Sequence, residues 1–368
     1  MMWLRNRIRK DMKILIDKNI NRQEWSGLVS ASTTGTWFQS LEAYEFYLSM
    51  PELFKPFAVG LENVGKLRAV CVGYVTVERN PIKQYFTRRA IIIGGPCLAD
   101  DCTAEEVNAL LCALKSSLLL GRDGVGSPIY IETRNFNDYS QWKGAFEKVG
   151  FVYKAHLNFH VDTSSMEIVE ANLGKSRKRD IRTTIREGVT IEEISNCKSQ
   201  ISYPDGTIIS NLERERKVRE YYAILEKLYK TKVKTPLFPV EFFLKLSIHN
   251  DARFLLTELN GKVIGGTVCV MQEGKCLYEW FACGEDGVYP HVFPSCYATY
   301  AGIQYAAEHG CARFDMMGAG SPDEAYGVRD FKAKFGGKEV EHGRFLCVTK
   351  PLLYKIGKIG VWLLKRFK

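Results

Sequence analysis

Nowhere does this 368-residue chain hold a stretch long and uncharged enough to cross a bilayer, and its charged start, M-M-W-L-R-N-R-I-R-K-D, has no apolar run behind it. The expectation is a cytoplasmic protein with neither membrane span nor secretion signal. The six histidines (His156, His160, His249, His291, His309, His342) show no metal-ligand spacing, and no G-x-S-x-G is present, so metal hydrolysis and serine-nucleophile chemistry find no support. The 11 cysteines are scattered singly without a C-x-x-C, which reads as reduced thiols. Those in apolar runs, such as Cys269 and Cys347, read as small core residues.

What is present is ordinary for a soluble globular protein: 46% hydrophobic and 25% charged residues, with a net charge of +9 that favours anionic partners without choosing among them. The length predicts about two domains. Trp37 to Leu48 reads as a helix ended by Pro51 and Pro56, and Phe57–Gly60 with Leu67–Glu78 as a hairpin around Gly65. Ala90–Ile93 is a short, wholly apolar strand running into Gly94-Gly95-Pro96. Those glycines either let a ligand approach the backbone or make a tight turn. Glu105–Leu120 is a helix with Thr103 as N-cap and Glu106 as capping-box partner. Ile129–Thr133, Trp142–Val149 and Val152–Val161 follow as strand, helix and strand. Glu132 and Arg134 alternate on one strand face, either for a polar acceptor or as a structural ion pair.

The same order then recurs. A basic helix, Leu173–Glu187, precedes a strand at Val189–Ile194, a Pro/Gly loop at Tyr203–Thr207 and helices at Arg216–Tyr229 and Val240–Ile248. Phe254–Leu259 and Val263–Gln272 form a hairpin around Asn260-Gly261, continued by Lys275–Cys283, the helix Ser295–His309 and a strand, Ala312–Met317. On the basic helix Lys175, Arg179, Arg182 and Arg186 share one narrow face, apart from Leu173, Ile181 and Ile185. Such a row is either a binding face for a phosphate-rich ligand or a solvated face neutralised by Glu187, Glu192 and Glu193.

The chain is organised around Phe314 to Gly337, F-D-M-M-G-A-G-S-P-D-E-A-Y-G-V-R-D-F-K-A-K-F-G-G. A strand carrying Asp315 opens into a glycine- and proline-punctuated loop that closes on Arg329, Phe331, Lys332, Lys334 and Phe335, the composition of a site. Lys332 and Lys334 point to one side if extended and to different sides if helical. Asp315 either accepts a proton or anchors the loop through backbone N–H groups. Tyr278 and Glu279, in the strand before, are a further candidate acid/base pair.

The pattern F-D-x-x-G followed by Y-G-V-R-D-F-K-x-K-F-G-G resembles the closing motif of the FemAB family, the non-ribosomal peptidyltransferases that add amino acids to peptidoglycan precursors. R-R-A-I-I-I-G-G-P-C-L at Arg88–Leu98 and N-L-G-K-S-R-K-R-D-I-R-T-T-I-R-E-G-V at Asn172–Val189 support it in the family's order, so the resemblance spans about Trp37 to Gly343. It implies an α/β (α+β) fold of two tandem acetyltransferase-like (GNAT) domains, each a mixed central sheet flanked by helices: residues 1–161, residues 162–343, and a basic tail, 344–368. It implies an aminoacyl-tRNA donor and Lys332 as electrophilic stabiliser; Asp315 and Glu279, singled out by their strand positions, are further catalytic candidates. Lys175, Arg179, Arg182, Tyr278, Arg329, Lys334, Gly94 and Gly95 are the candidate substrate contacts.

No bound cofactor or metal is expected, the donor being a co-substrate and the acceptor a phosphorylated or lipid-linked cell-envelope precursor. The glycines of a coenzyme A pyrophosphate loop would fall at Val288–Ser295, which instead reads V-Y-P-H-V-F-P-S, and this argues against an ordinary acetyl-CoA site. An acyl-CoA-dependent N-acyltransferase acting on an amino sugar of a surface polysaccharide is the enzymatic alternative. A non-catalytic nucleic-acid or membrane binding protein is the alternative of another class. The tail, Pro351–Lys368, predicts a basic amphipathic helix with Leu352, Leu353, Ile356, Ile359, Leu363, Leu364 and Phe367 on one stripe, which either lies on an anionic membrane or packs back on the first domain.

Overall fold

The computed structural model describes residues 11–121, 126–195, 211–324 and 327–366, so the loop expected at Tyr203–Thr207, Tyr326 of the closing motif and Phe367 of the tail lie outside the described residues. The chain forms two compact units, Leu157–Val340 and the remainder, Met1–His156 with Glu341–Lys368.

The first unit is built on β1 (Met12–Ile16), β2 (Phe54–Asn63), β3 (Lys66–Thr76), β4 (Ala90–Gly94), β5 (Cys97–Leu98), β6 (Tyr130–Asn135) and β7 (Val152–Lys154). The second carries β8 (Leu157–Asp162), β9 (Thr190–Ser195), β10 (Ala252–Leu259), β11 (Lys262–Gln272), β12 (Cys276–Gly284), β13 (Arg313–Gly318) and β14 (Lys338–Glu341), after which β15 (Arg344–Val348) returns to the first sheet. The sheet orders are β1-β2-β3-β4-β6-β15-β7, with β5 on β3, and β14-β8-β13-β12-β11-β10-β9. Each is an antiparallel meander of four strands followed by a parallel neighbour, β4 with β6 and β12 with β13, and then an antiparallel one, β15 on β6 and β8 on β13, with a last strand at the edge. The repeat is therefore one of topology. The mixed α/β fold class is the expected one, while β15 and the residues after it group with the first unit rather than as a separate tail.

Local chemistry explains most elements. Thr103 and Glu106 cap the helix Ala104–Leu119 reciprocally, and Val107, Leu110, Leu111, Leu114 and Leu118 bury its apolar face. At the β10–β11 turn Asn260 and Gly261 both take positive φ, 52° and 75°, the type I′ geometry that this pair favours. The ten described cysteines are all free.

Two expectations need correction and one pair of alternatives narrows. Val152–Val161 is not one strand: Val152–Lys154 pairs with β15 in the first sheet, and Leu157–Asp162 pairs with β13 in the second. Gly94 and Gly95 make a turn, one of the two readings of that stretch. Both have positive φ, 85° and 78°, and the space that a side chain would need is filled by Thr36 at Gly94 and by the Tyr139 ring, 2.7 Å away, at Gly95. The stretch carrying Lys332 is a short helix, Gly327–Ala333, rather than loop. In the first unit Glu132 lies 3.1 Å from Arg134 and 3.0 Å from Arg344, the ion-pair alternative.

Candidate functional site

β12 and β13 run side by side only from Cys276↔Arg313 to Tyr278↔Asp315, after which β12 continues along β11 to Gly284 while β13 does not follow it, so the two parallel strands part at that point. In the first unit β4 and β6 stay in register to their ends, Gly94↔Asn135, and show no such fork. Beyond the fork the backbone of β13 bulges, with Met317 at φ 58° and the ladder to β8 resuming at Gly318↔Asn158.

Three ionisable side chains gather there, all buried: Glu279, Asp315 and Lys332. The Lys332 ammonium donates to the carbonyl oxygens of Met316, of Met317 at 3.4 Å and of Gly318 at 2.9 Å, which binds its helix to the bulge. Glu279 accepts hydrogen bonds from Thr299 Oγ1 at 2.8 Å and Thr267 Oγ1 at 3.2 Å. Asp315 Oδ1 accepts from the Met317 N–H at 2.7 Å, and Oδ2 lies 3.2 Å from His160 Nε2.

The environment moves all three pKa values. Burial pushes the Glu279 carboxyl above its ordinary value, against the charge of Lys332 and the Thr299 and Thr267 hydroxyls. Burial likewise pushes Lys332 below its ordinary value, against the charges of Glu279 and Asp315. Burial alone would raise Asp315, but its bond to His160, the His160 and Arg313 charges and the Met317 N–H together hold it below its ordinary value. Perturbed groups of both signs gathered at one strand fork make this the candidate chemical site.

Tyr278 and Glu279 do not form a pair. Neighbours in a strand project to opposite faces. Glu279 meets Thr299 of the helix Pro294–Glu308, whereas Tyr278 lies beside Cys276, Arg313 and Asp315 and donates to Gln272 Oε1 at 3.4 Å. Arg329, expected as a substrate contact, donates to the carbonyls of Ala319, Ser321 and Glu324 at 3.4, 2.6 and 3.3 Å and so staples the loop. Lys334 is exposed while Lys332 is buried, as helical spacing separates them.

The basic helix, Lys175–Arg186, is tied to this site. Its N-cap Gly174 donates its N–H to the Lys334 carbonyl at 3.0 Å, and a Cβ at Gly174 would come within 2.8 Å of that oxygen. Arg177, which sequence spacing did not single out, is buried and stacks on Phe331 and Phe335 with Asp180 beside it. Lys175, Lys178, Arg179, Arg182, Thr183 and Arg186 line an open depression along the outer face. Of the acids expected to neutralise this face, Glu192 pairs with Lys217, and Glu193 lies 3.7 Å from Arg253. Arg179 finds Asp180 at 3.1 Å, while among the described residues Lys175, Arg182 and Arg186 have no ion pair.

His160, Thr267 and Thr299 were invisible to sequence reasoning. Each reaches the site from another strand or helix, and no local spacing marks them. Among the described residues no cluster of His, Cys, Asp or Glu could hold a metal, and no helix is long and apolar enough to cross a membrane.

Comparison with known proteins places this arrangement. No curated protein sequence matches the chain. Residues 252–359 match the model of the FemAB family. Among solved structures the chain is similar to FemX, at 13% identity and a TM-score of 0.66, covering 94% of this chain and 99% of that one. It is also similar to the C-terminal domain of a putative lysylphosphatidylglycerol synthetase from Agrobacterium fabrum, at 13% identity and a TM-score of 0.56, covering 92% and 95%. A tandem GNAT protein from the clavulanic acid biosynthesis pathway matches at 9% identity and a TM-score of 0.54, covering 92% and 98%. With the closing F-D-x-x-G and F-K-x-K-F-G-G motifs in its second unit, the chain is similar to the FemAB family over residues 252–359 and shares the fold of FemX and of the tandem GNAT protein.

Proposed function

We propose that the second unit is an aminoacyltransferase: it moves an aminoacyl group from the ester of a charged tRNA to an amino group of a cell-envelope precursor. The observation that carries this reading is the buried Lys332 at the fork of β12 and β13, between Glu279 and Asp315. In the reaction the amine lone pair attacks the ester carbonyl, the C–N bond forms, the C–O bond to the ribose breaks, and the amine proton must leave as the ribose oxygen gains one. Lys332 exchanges its long hydrogen bond to the Met317 carbonyl for the ester oxygen and stabilises the charge that develops there. Glu279, whose carboxylate is made more basic by burial, takes up the amine proton. Asp315 anchors the bulge that positions Lys332.

The basic face of the Lys175–Arg186 helix, on which Lys175, Arg182 and Arg186 have no ion pair among the described residues, supports a phosphate-rich donor. An acyl-CoA donor is disfavoured by Asp286. Its Oδ1 accepts the Ser295 N–H at 3.2 Å, so a carboxylate already occupies the helix N-terminus where a pyrophosphate would otherwise sit. A purely binding role gives no reason to bury Lys332, Glu279 and Asp315 together, since burying ionisable groups costs stability. The similarity to a lysylphosphatidylglycerol synthetase, whose name states an aminoacylated lipid, fits a lipid-linked or phosphorylated acceptor met at the cytoplasmic face of the membrane.

The test is transfer of a radiolabelled amino acid from charged tRNA to muropeptide precursors, with and without RNase. Transfer abolished by RNase supports the reading. RNase-resistant transfer from acyl-CoA to an amino sugar would replace it with the N-acyltransferase alternative, and no transfer from either donor with tight RNA binding would favour the non-catalytic one.

A further inference from the structure

The first unit holds a surface that the transfer reaction does not use. The helix Pro81–Thr87, N-capped by Asn80, leaves Ile82, Tyr85 and Phe86 exposed, Ile82 by 71%. The C-terminal helix, Pro351–Arg366, packs against it. Its inner side is anchored by Tyr354, whose ring meets Tyr130 edge-on at 5.6 Å, with Leu353 half-buried beside it. Its outer side carries Leu352, Ile356 and Ile359 at helical spacing, Leu352 exposed by 72%. Gly357, between them, faces open space. The sequence offers packing or membrane contact for this stripe as alternatives, and among its described side chains, Leu352 to Ile359, Leu353 is half-buried while Leu352, Ile356 and Ile359 are left bare.

Charge identifies the occupant. From Pro351 to Lys368 the sequence has five basic residues and no acid: Lys355, Lys358, Lys365, Arg366 and Lys368. Lys355 and Lys358 are exposed beside the apolar stripe. Lys83 adds a further cation on the neighbouring helix, 2.9 Å from Glu78. Adjoining helices that expose aliphatic and aromatic side chains beside lysines and carry no acids of their own match a bilayer surface, in which apolar groups enter the acyl boundary while lysines meet anionic headgroups.

We propose that the Pro81–Thr87 and Pro351–Arg366 helices together form a docking surface for an anionic lipid bilayer. The surface shares no residue with the candidate site, so it stands or falls independently of the transfer reaction.

The full chain is sedimented with phosphatidylcholine vesicles and with vesicles that also contain phosphatidylglycerol, alongside the variants Ile82→Glu and Leu352→Glu. The expected result is binding to the anionic vesicles alone, weakened by salt and lowered at least ~10-fold by either variant at unchanged melting temperature. The Ile82→Glu arm separates this surface from a tail acting alone: wild-type binding by that variant overturns the two-helix proposal. Equal binding of all three proteins, or no binding of the wild type to either vesicle, overturns it altogether. So does concentration-dependent dimerisation that Leu352→Glu abolishes without any vesicle binding, which would assign the patch to a second copy of the chain.

Discussion

The Arg177 guanidinium lies 4.5 Å from the centre of the Phe331 ring, joining the basic helix to the helix that carries Lys332. Phe335 at 5.1 Å and Asp180 at 3.3 Å also lie beside it. The stacking gives Phe331 a second task besides packing, since it holds the first turn of the phosphate-binding candidate face against the catalytic candidate.

Arg177→Ala and Phe331→Leu are therefore expected to be coupled. A buried cation–π interaction contributes about 0.5–2 kcal/mol, so the double variant should be less destabilised than the sum of the singles by that amount in urea unfolding. Strict additivity would show that the stacking contributes nothing.

Gly94→Ala should destabilise by about 1 kcal/mol or more, because an L side chain at positive φ is strained and its Cβ would collide with Thr36. Since the turn is structural, KM values of the folded variant should stay unchanged. A selective rise in KM at wild-type stability would restore the ligand reading of the Gly94-Gly95 turn.

Reversing charge at Arg182 and Arg186 should raise KM for charged tRNA while kcat holds. The slope of log affinity against log salt should fall by about 0.7–0.9 for each phosphate that is no longer neutralised. Lys175, Arg182 and Arg186 are the informative positions, because Arg179 already has Asp180 within 3.1 Å. An unchanged salt slope would return the helix to a solvated face.

The features legible in the sequence are those that a few neighbouring residues decide. Asn260-Gly261 and the Thr103/Glu106 box each fix their own geometry, so hairpin and helix boundaries follow from sequence. The break at His156 does not, because Val152–Lys154 and Leu157–Asp162 are assigned to different sheets by partners far along the chain, β15 and β13. Lys332 is legible from its motif, and the helical form of its segment decides between it and Lys334. His160 and Thr299 are not legible, since strand register and helix packing alone bring them to Asp315 and Glu279. By sequence proximity the acids Glu192 and Glu193 look available to the basic helix, yet in the fold Lys217 and Arg253 take them.

Asp315 should contribute pH-dependent stability. Its native pKa is held below the ordinary 3.8, so the contribution is fully present above 3.8 and is lost as pH falls through the depressed native value. The melting-temperature gap between wild type and Asp315→Asn is expected to be constant above 3.8 and to close below it. A gap that persists in acid would mean that Asp315 acts through packing and not through its charge.

The most direct test of the account is single-turnover transfer by Lys332→Met from pre-charged tRNA to an envelope precursor. The substitution keeps an unbranched side chain one atom shorter and removes the cation that is aimed at the bulge of β13. The account predicts a rate lower by ~10²-fold or more, in a variant with a native circular dichroism spectrum and wild-type affinity for tRNA. A near wild-type rate in that folded variant would contradict it.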